Sequence, residues 1–453
     1  MKQRRASKMG KYFGTDGFRG KANETLTVDH AVKVGLFLGH YYSKNGKQTI
    51  LIGKDTRLSS DMFESALAAG IMAGGCDALL CGVCPTPMVA YLVRRNNYAC
   101  GAMISASHNP FADNGIKLFS PMGEKCDPKL EEEIEQYIDG KIDIELMHGE
   151  AIGNKMYDPD LLEQYCTWVG QCVDIKPNNL KVVIDCANGS SSVSAYKVLK
   201  QLVGEVIGIH YKPNGLNINT HCGSTHPQDL QEAVLANKAD LGFAFDGDAD
   251  RLICVDNQGR LLTGDHMLLI LGKYLDNKGE LNDHCVVSTV MANLGFFHAL
   301  KENNLTSVKT DVGDKYVYEQ MIKHQYDLGG EQSGHIIFRR QHTTGDGLLT
   351  ALHMLEALLA TDKTLAQLAD QVTIYPQELI NVKVKDKHAV MEESIVKQWI
   401  QEAESSLQGN GRLLVRPSGT EPLVRVMAEA KTIEQTHALV KDLADKIEKE
   451  YGI

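Results

Sequence analysis

The chain has 453 residues, of which 43% are hydrophobic and 23% charged, the balance of a globular protein with several domains. Its 58 acidic residues exceed its 47 lysines and arginines, and the net charge of -11 disfavours nucleic acid as a partner. The most apolar run, Leu348 to Ala360, is interrupted by His353 and Glu356, so we expect no membrane-spanning helix and no membrane partner.

The N-terminal segment MKQRRASKMG is basic, but KYFGTDGFRG follows it instead of an apolar stretch, so we expect an untargeted leader. The 11 cysteines are scattered and odd in number, which is typical of reduced thiols and predicts a cytoplasmic protein. One C-x-x-C pair exists, Cys81 and Cys84. No second pair or histidine cluster accompanies it, so we interpret it as core thiols rather than a metal or redox site.

One pattern recurs three times along the chain: an apolar run ends in a small or polar turn and passes into an amphipathic helix. The apolar runs are 49–55, 180–189 and 284–295. Continuous Val/Ile/Leu runs alternating with helices are typical of buried parallel strands, so the pattern predicts three α/β units. The apolar faces of the first two helices are Phe63, Leu67 and Ile71, then Val193, Tyr196, Leu199 and Val203.

The residues after Tyr375-Pro376 follow a different pattern, with strands joined by a short polar loop, and they predict a smaller α+β domain. A capping-box pattern of Thr432 with Gln435 begins the final helix. The two helices of this part have apolar faces formed by Ile395, Trp399 and Ala403 and by Leu439, Leu443 and Ile447. We place the domains at 1–155, 156–256, 257–374 and 375–453.

The most informative loop lies in LGFAFDGDADRLICVD, residues 241–256, where two apolar runs flank Asp246, Asp248 and Asp250. At an effective dielectric constant near 20, two carboxylates about 4 Å apart repel by roughly 4 kcal/mol. Three carboxylates in one loop therefore favour a bound cation, and oxygen ligands favour Mg²⁺. A solvated acidic turn is the alternative, but the apolar strands on both sides tie the loop to the core.

Two other acidic-loop types fit less well. An EF-hand requires Gly at loop position six and Glu at position twelve, where this chain has Arg251 and Asn257. An apolar run followed by D-x-D also resembles the nucleophile strand of haloacid-dehalogenase-type phosphatases, which carry Thr or Val in place of Asp250. The third carboxylate favours metal binding over an aspartyl nucleophile.

A second polar segment, ACGAMISASHNP, is a strand that ends in Ser105, Ser107 and His108 before an Asn-Pro turn. Serines at a strand exit are often only turn residues, and both interpretations remain open from this segment alone. The chain has no G-x-S-x-G elbow, which leaves a hydrolase of that type unsupported. The following DNGIK turn positions Lys117 for an anionic ligand.

Three further loops combine polar side chains with glycine. RPSGTEP resembles a phosphate cradle, because guanidinium, hydroxyl and backbone N–H donors meet in one loop, although an ordinary hairpin remains an alternative. LGGEQSGH offers donors and acceptors suited to sugar hydroxyls, and YFGTDGFRG contributes an arginine. No Walker A or kinase catalytic-loop pattern is present. The residues of these loops are Arg416, Ser418, Gly419 and Thr420, with Arg425 nearby; Glu331, Ser333 and His335; and Arg19.

Taken together and in this order, SASHNP, DGDADR, GEQSGH and RPSGTEP span nearly the whole chain and resemble the α-D-phosphohexomutase family. The chain is most similar to the bacterial branch that acts on glucosamine phosphates, in the segments GTDGFRG, ISASHNPFADNGIK, GEQSGH and RPSGTEPLVRVMAEA. One departure is VGDKYV, where that branch usually has Arg in place of Lys315. Lysine keeps the positive charge but cannot make the paired hydrogen bonds of a guanidinium group.

The resemblance implies three similar α/β domains and a smaller C-terminal α+β domain around a central cleft. It also implies that Ser107, rather than Ser105, carries a phosphoryl group and shares one Mg²⁺ per subunit with Asp246, Asp248 and Asp250. The further residues that it implies are His108, Lys117, Arg19 and Arg251 in catalysis, and Glu331, Ser333, His335, Arg416, Ser418, Gly419, Thr420 and Arg425 in substrate binding.

The activity implied is interconversion of glucosamine 6-phosphate and glucosamine 1-phosphate through a 1,6-bisphosphate intermediate, supplying UDP-N-acetylglucosamine and cell-wall synthesis. The resemblance further implies a homodimer and a C-terminal domain, 375–453, that acts as a lid excluding water from the phosphoserine. The alternatives are glucose or mannose phosphate specificity on the same scaffold, a metal-dependent phosphatase, and a non-catalytic phosphosugar-binding regulator.

Overall fold

The computed structural model describes residues 10–44, 46–407, 411–418 and 421–453, which form four β-sheets with helices between the strands. By its internal contacts the chain divides into two compact units. The first consists of the described residues up to Val290 together with Thr306–Ala369. The second consists of Met291–Leu305 together with the described residues from Asp370 to Ile453. No described helix is both long and apolar enough to cross a membrane.

The first unit begins with a seven-stranded sheet in the order β1-β2-β6-β5-β3-β4-β7. Its strands are β1 (Phe13–Gly14), β2 (Gly17–Lys21), β3 (Thr49–Lys54), β4 (Asp77–Val83), β5 (Cys100–Ile104), β6 (Asp113–Phe119) and β7 (Lys155–Tyr157), and its helices are α1 (Val28–Ser43), α2 (Leu58–Ala73), α3 (Thr86–Arg95) and α4 (Pro128–Ile138). Strand β6 runs antiparallel to β5 and pairs Lys117 with Met103. This pairing places Lys117 beside the loop that leaves β5.

Glycines set the close packing of α1 on α2. A Cβ atom on Gly35 would lie 2.3 Å from the carbonyl oxygen of Leu67, and one on Gly39 would lie 2.3 Å from that of Ile71. Real Cβ atoms do not approach backbone oxygen so closely, so the two helices can adopt this separation only because these positions carry no side chain.

The first unit also contains a five-stranded sheet in the order β12-β11-β10-β8-β9 and a four-stranded sheet in the order β14-β13-β15-β16. The elements of the five-stranded region are α5 (Asp160–Gln171), β8 (Lys181–Asp185), α6 (Ala195–Leu199), β9 (Glu205–Ile209), α7 (Gln228–Asn237), β10 (Leu241–Phe245), β11 (Leu252–Asp256) and β12 (Leu261–Leu262). Those that follow, all in the first unit except α9, are α8 (Gly264–Asn277), β13 (Cys285–Thr289), α9 (Leu294–Glu302), β14 (Thr306–Thr310), α10 (Asp314–His324), β15 (Leu328–Gly330), β16 (Ile336–Phe338), α11 (Gly347–Leu359) and α12 (Leu365–Ala369).

The second unit combines α9 with an antiparallel sheet in the order β17-β19-β18. Its further elements are β17 (Gln377–Lys383), α13 (Lys387–Glu392), α14 (Ser394–Ser406), β18 (Gly411–Pro417), β19 (Leu423–Ala430) and α15 (Ile433–Tyr451). The backbone N–H of Leu294 donates to Glu429, whose other carboxylate oxygen accepts from Arg412. These contacts fix the start of α9 within this unit.

The fold class predicted from the sequence is confirmed. Strand β3 is parallel to β4 and β5, β8 to β9 and β10, and β13 to β14 and β15, so all three apolar runs form buried parallel strands. Each of these sheets also contains antiparallel pairs, such as β10 with β11. The domain boundaries near 155, 256 and 374 stay a proposal.

Two helix predictions are wrong in detail. The amphipathic helix expected over Val193 to Val203 is only the five-residue α6, because Ser190–Val193 forms a separate 3-10 turn. In α14, Trp399 and Ala403 pack against the core beside the buried Val396, as predicted, but Ile395 is 39% exposed and is not part of this face. The cap of α15 is confirmed, since the side chain of Thr432 accepts from the backbone N–H of Gln435.

Candidate active site

The acidic loop connects β10 to β11, and the antiparallel pairing of these strands brings three aspartates together at its turn. Asp246, Asp248 and Asp250 are all buried, and one carboxylate oxygen from each lies within 4.8 Å of the others. Burial, together with the charges of Asp250 and Asp248, raises the pKa of Asp246 well above its usual value. A cluster with this electrostatic cost requires positive charge beside it.

Lys117 supplies part of that positive charge. Its Nζ atom lies 2.6 Å from Asp248 Oδ2 and 3.2 Å from Asp250 Oδ2. The buried Oδ1 atoms of Asp248 and Asp250 accept no hydrogen bond from the described residues. Buried carboxylate oxygens without donors are the oxygen ligands that a hard divalent cation takes, so the residues present fit a Mg²⁺ site.

The loop that leaves β5 points Ser107 at the acidic loop. The Oγ of Ser107 donates to Asp246 Oδ2 over 2.6 Å, and its backbone is left-handed with a φ of 52°. Ser105 has a different role, because its Oγ donates to Asp55 Oδ2 over 2.7 Å and accepts the N–H of Ser107. The structure therefore places Ser107 at the aspartates and Ser105 in the support beneath it.

Arg57 holds this serine loop from behind and was not identified from the sequence. It is buried, and its Nη2 donates to the carbonyl oxygens of Ser107 and Asn109, each over 2.9 Å. Its Nη1 donates to the carbonyl oxygens of Pro110 and Asp113. Asp55 fixes the guanidinium by accepting from Nε over 2.8 Å. The charged run KDTRLSS at the exit of β3 is the sequence signal that points to this clamp.

Two other contributors were also missed. Asn219 Nδ2 donates to the carbonyl oxygens of Ser107, over 2.8 Å, and Asn109, over 3.0 Å. The hydroxyl of Thr86 donates to Asp248 Oδ2, and its backbone N–H donates to the carbonyl oxygen of the same residue. Neither has a local motif, because each partner is far away in the chain.

The other predicted catalytic residues in this unit lie around the aspartates. Arg251 donates its backbone N–H to Asp246 Oδ1 over 3.3 Å, and its Nε is 3.7 Å from Asp250 Oδ1. His108 Nδ1 is 3.4 Å from the Oγ of Ser107. Burial lowers the pKa of His108 to about 4, and the charges of Arg251 and Arg19 act in the same direction.

The β15–β16 loop brings two of its predicted residues inward. His335 is buried, with Nδ1 3.9 Å from Asp250 Oδ1 and Nε2 accepting the N–H of Gly345 over 2.9 Å. Glu331 accepts the N–H of Gly313 over 3.1 Å, and burial raises its pKa. Ser333 is exposed. The loop thus adds an imidazole beside Asp250 and a carboxylate near the start of α10.

A chain of charged groups connects this loop with the N-terminal part of the first sheet. Lys125 Nζ is 2.6 Å from Asp314 Oδ1 and 3.4 Å from Asp16 Oδ1. Asp314 Oδ2 is 3.6 Å from Nε2 of His335, and Asp16 Oδ2 is 3.8 Å from Nη2 of Arg19. Sequence reasoning found the two ends of this chain, Arg19 and His335, but not the residues between them.

Lys315 lines a cavity of about 570 Å³ at the start of α10, together with Lys125 and Glu131. Burial raises the pKa of Glu131 to about 7, although the charges of Lys315 and Lys125 oppose the shift. Lys315 therefore lies at the wall of this cavity, where its charge and that of Lys125 act on the same partly buried carboxyl of Glu131.

The predicted phosphate loop lies in the second unit. Arg416 on β18 is paired in register with Arg425 on β19, and the buried Ser418 donates its N–H to the carbonyl oxygen of Leu423. The hydroxyl of Ser418 accepts the N–H of Glu421 over 3.3 Å. Gly419 and Thr420, also predicted here, lie outside the described residues. The described part is a turn with two arginines at its base.

Four family models match the chain, described as phosphoglucomutase/phosphomannomutase alpha/beta/alpha domains I, II and III and C-terminal domain. They match residues 10–144, 163–259, 263–375 and 379–446, respectively. A protein of Limosilactobacillus reuteri named phosphoglucosamine mutase is 48% identical over 439 residues, covering 96% of this chain and 97% of that one. A protein of the same name from Brevibacillus brevis is 47% identical over 446 residues, covering 98% and 100%.

Solved structures share the fold at lower identity. A phosphoglucomutase/phosphomannomutase family protein of Burkholderia thailandensis has a TM-score of 0.78 at 21% identity, covering 98% of each chain. The N-acetylphosphoglucosamine mutase of Aspergillus fumigatus, solved with GlcNAc-6P and magnesium, has a TM-score of 0.69 at 20% identity, covering 98% of this chain and 96% of that one.

Proposed function

Because the chain belongs to the phosphoglucomutase/phosphomannomutase family, we propose that it interconverts glucosamine 6-phosphate and glucosamine 1-phosphate, as phosphoglucosamine mutases do. Relatives of that name at 47–48% identity over nearly the full length support the substrate. The observation that carries the chemistry is the hydrogen bond from Ser107 Oγ to Asp246 in a buried loop of three carboxylates.

In this proposal Ser107 carries the phosphoryl group and gives it to O1 of glucosamine 6-phosphate, forming glucosamine 1,6-bisphosphate. The bisphosphate turns over, and its 6-phosphoryl group returns to Ser107, which releases glucosamine 1-phosphate. In each transfer one hydroxyl loses a proton while another oxygen gains one. His108, whose Nδ1 is 3.4 Å from the serine oxygen, is positioned to move that proton.

Asp246, Asp248 and Asp250 would hold one Mg²⁺ per subunit, with the phosphoserine completing the ligands. When bound, the ion neutralises charge on the phosphoryl oxygens. Lys117 and Arg251 place two further positive charges beside the same carboxylates, and they would attract the phosphoryl oxygens and limit repulsion in the dephosphorylated loop. Arg19 would also contact the phosphate.

The substrate would be held by two groups of residues. Glu331, Ser333 and His335 would accept from and donate to sugar hydroxyls, since they combine a carboxylate, a hydroxyl and an imidazole in one loop. Arg416 and Arg425 with Ser418, Gly419 and Thr420 would bind the distal phosphate. We further propose that residues 375–453 are required for mutase turnover and that the protein is a cytoplasmic homodimer.

Three measurements test this function. Peptide mass spectrometry of segment 104–110 is expected to find phosphate on Ser107, and Ser107→Ala is expected to lose mutase activity. Initial rates on the 6-phosphates of glucosamine, glucose and mannose are expected to be highest for glucosamine. A faster rate on mannose 6-phosphate would refute the substrate. Net phosphate release that survives Ser107→Ala would instead indicate a phosphatase.

A further inference from the structure

A second cluster of metal-ligating side chains lies in the five-stranded region and involves none of the loop aspartates. Asp185 ends β8, His210 follows β9, and Cys222 lies in the loop before α7. One ligand atom from each of the three lies within 4.8 Å of the others. We propose that this cluster binds a divalent cation of the zinc class, as a site separate from the aspartate loop.

The imidazole of His210 is oriented by two carboxylates. Its Nδ1 lies 3.1 Å from Asp185 Oδ2, and its Nε2 lies 3.1 Å from Asp229 Oδ2. A metal-bound histidine commonly donates its second ring N–H to a carboxylate, which fixes the ring and its tautomer. Asp229 therefore occupies the position of such a carboxylate at Nε2 of His210, and Nδ1 of His210 is the nitrogen that would bind the cation.

The thiol of Cys222 completes the set from the interior. Cys222 is fully buried, and the contact of its Sγ with Asn188 Nδ2 is long, 3.9 Å. Asp185 is also fully buried, and within the described chain His210 is its one ion-pair partner. A cation at this cluster would add positive charge beside the buried carboxylate and would take the Cys222 sulfur as a ligand.

The donor types select the cation. Sulfur, imidazole nitrogen and carboxylate oxygen together suit Zn²⁺ or Co²⁺, whereas Mg²⁺ prefers oxygen alone. On binding, the Cys222 thiol loses its proton to solvent as the S–metal bond forms, and a neutral imidazole keeps its proton on Nε2 towards Asp229. Three protein ligands leave a fourth position for water.

A bound cation would tie together three segments, one of which supports the serine loop. The loop of Cys222 also carries Asn219, whose amide holds the carbonyl oxygens of Ser107 and Asn109. Asp185 already accepts the N–H of Gly223 over 2.8 Å, so the segments are in place before a cation arrives. The site would act structurally, by stiffening the loop of Asn219.

The test uses the reduced, metal-stripped full chain in excess Mg²⁺, titrated with Co²⁺. We expect one Co²⁺ per chain with a thiolate-to-cobalt charge-transfer band, displaced by Zn²⁺, and a raised thermal midpoint with Zn²⁺. Cys222→Ser and His210→Gln are expected to lose the band. Asp229→Asn is expected to keep it while weakening affinity by about 10–100-fold.

Two control variants distinguish this site from other groups of the chain that could bind the cobalt ion. Asp248→Asn, in the aspartate loop, and Cys81→Ser, in the close Cys81–Cys84 thiol pair, are both expected to keep the band. Circular dichroism of each variant verifies its fold, and the half-exposed His210 provides a variant that does not alter the core. Absence of the band in the wild type, or its survival in both Cys222→Ser and His210→Gln, would overturn the proposal.

Discussion

Arg57 donates from Nη2 to the carbonyl oxygen of Ser107 over 2.9 Å, so a buried guanidinium fixes the backbone of the residue proposed to carry the phosphoryl group. The same side chain reaches three other carbonyl oxygens of the loop, and Asp55 holds its Nε. One planar group with donors in a fixed fork can organise a loop in this way, whereas an ammonium cannot.

Arg57→Lys is therefore expected to lower kcat by about 100-fold, because a displacement near 1 Å at the reacting oxygen has that effect. Charge opposite Asp55 is kept, so the KM for glucosamine 6-phosphate is expected to change little. The matched control is Arg339→Lys, an arginine that pairs with Asp327 away from the serine loop. Equal losses in both variants would contradict the positioning role.

Lys117→Met is expected to make the protein depend on divalent cation for stability. Without the ammonium, Asp248 loses its ion pair and Asp250 keeps only its longer contacts with Arg251 and His335, and breaking a buried ion pair in this way costs about 3–5 kcal/mol. Thermal unfolding should show a lower midpoint without Mg²⁺ and a larger rise on adding Mg²⁺ than in the wild type. Lys33→Met, which removes an ion pair with the exposed Asp29, is expected to shift the midpoint little with or without the cation.

Gly35→Ala is expected to destabilise the first unit by about 1–3 kcal/mol, since its new methyl group would collide with the carbonyl oxygen of Leu67. Gly170→Ala, in α5, is the control because a Cβ there would meet nothing within 4 Å. That substitution is expected to be neutral or to stabilise by up to about 1 kcal/mol. Thermal midpoints of both variants measure the difference, and a stable Gly35→Ala would disprove the tight helix contact.

The raised pKa of Glu131 predicts that the stability of the protein depends on pH. Burial raises its folded pKa from 4.5 to about 7 against the charges of Lys315 and Lys125, with Glu135 and Asp127 adding to the rise. Its protonated form is therefore favoured by folding, and that stability is present below pH 4.5 and lost as the pH rises to about 7. Above this range Glu131 is charged in the folded protein, and its burial then lowers the free energy of unfolding.

Glu131→Gln is accordingly expected to have a higher thermal midpoint than the wild type near pH 8 and a similar one near pH 5. The exposed neighbour Glu132 provides the control, since Glu132→Gln should give the same small difference at both pH values. A Glu131→Gln difference that does not change with pH would show that the carboxyl titrates as it does in water.

The sequence predicted the three parallel-strand units and the loops at their exits, because a Val/Ile/Leu run that ends in polar residues is a local signal. Arg57 and Thr86 were missed because their partners lie far along the chain, and local periodicity carries no information about such pairings. The helix after β8 was predicted too long because its apolar residues fit the helical period while Ser190–Val193 turns separately.

The left-handed backbone of Ser107 favours glycine for stability, whereas the proposed chemistry requires a serine hydroxyl there. Glycine would adopt a φ of 52° without the strain of about 1–3 kcal/mol that a residue with a side chain bears there, but glycine has no oxygen to accept a phosphoryl group. Ser107→Gly should thus be inactive but have a higher thermal midpoint than the wild type. Such a result would show that selection at this position has favoured catalytic turnover over stability.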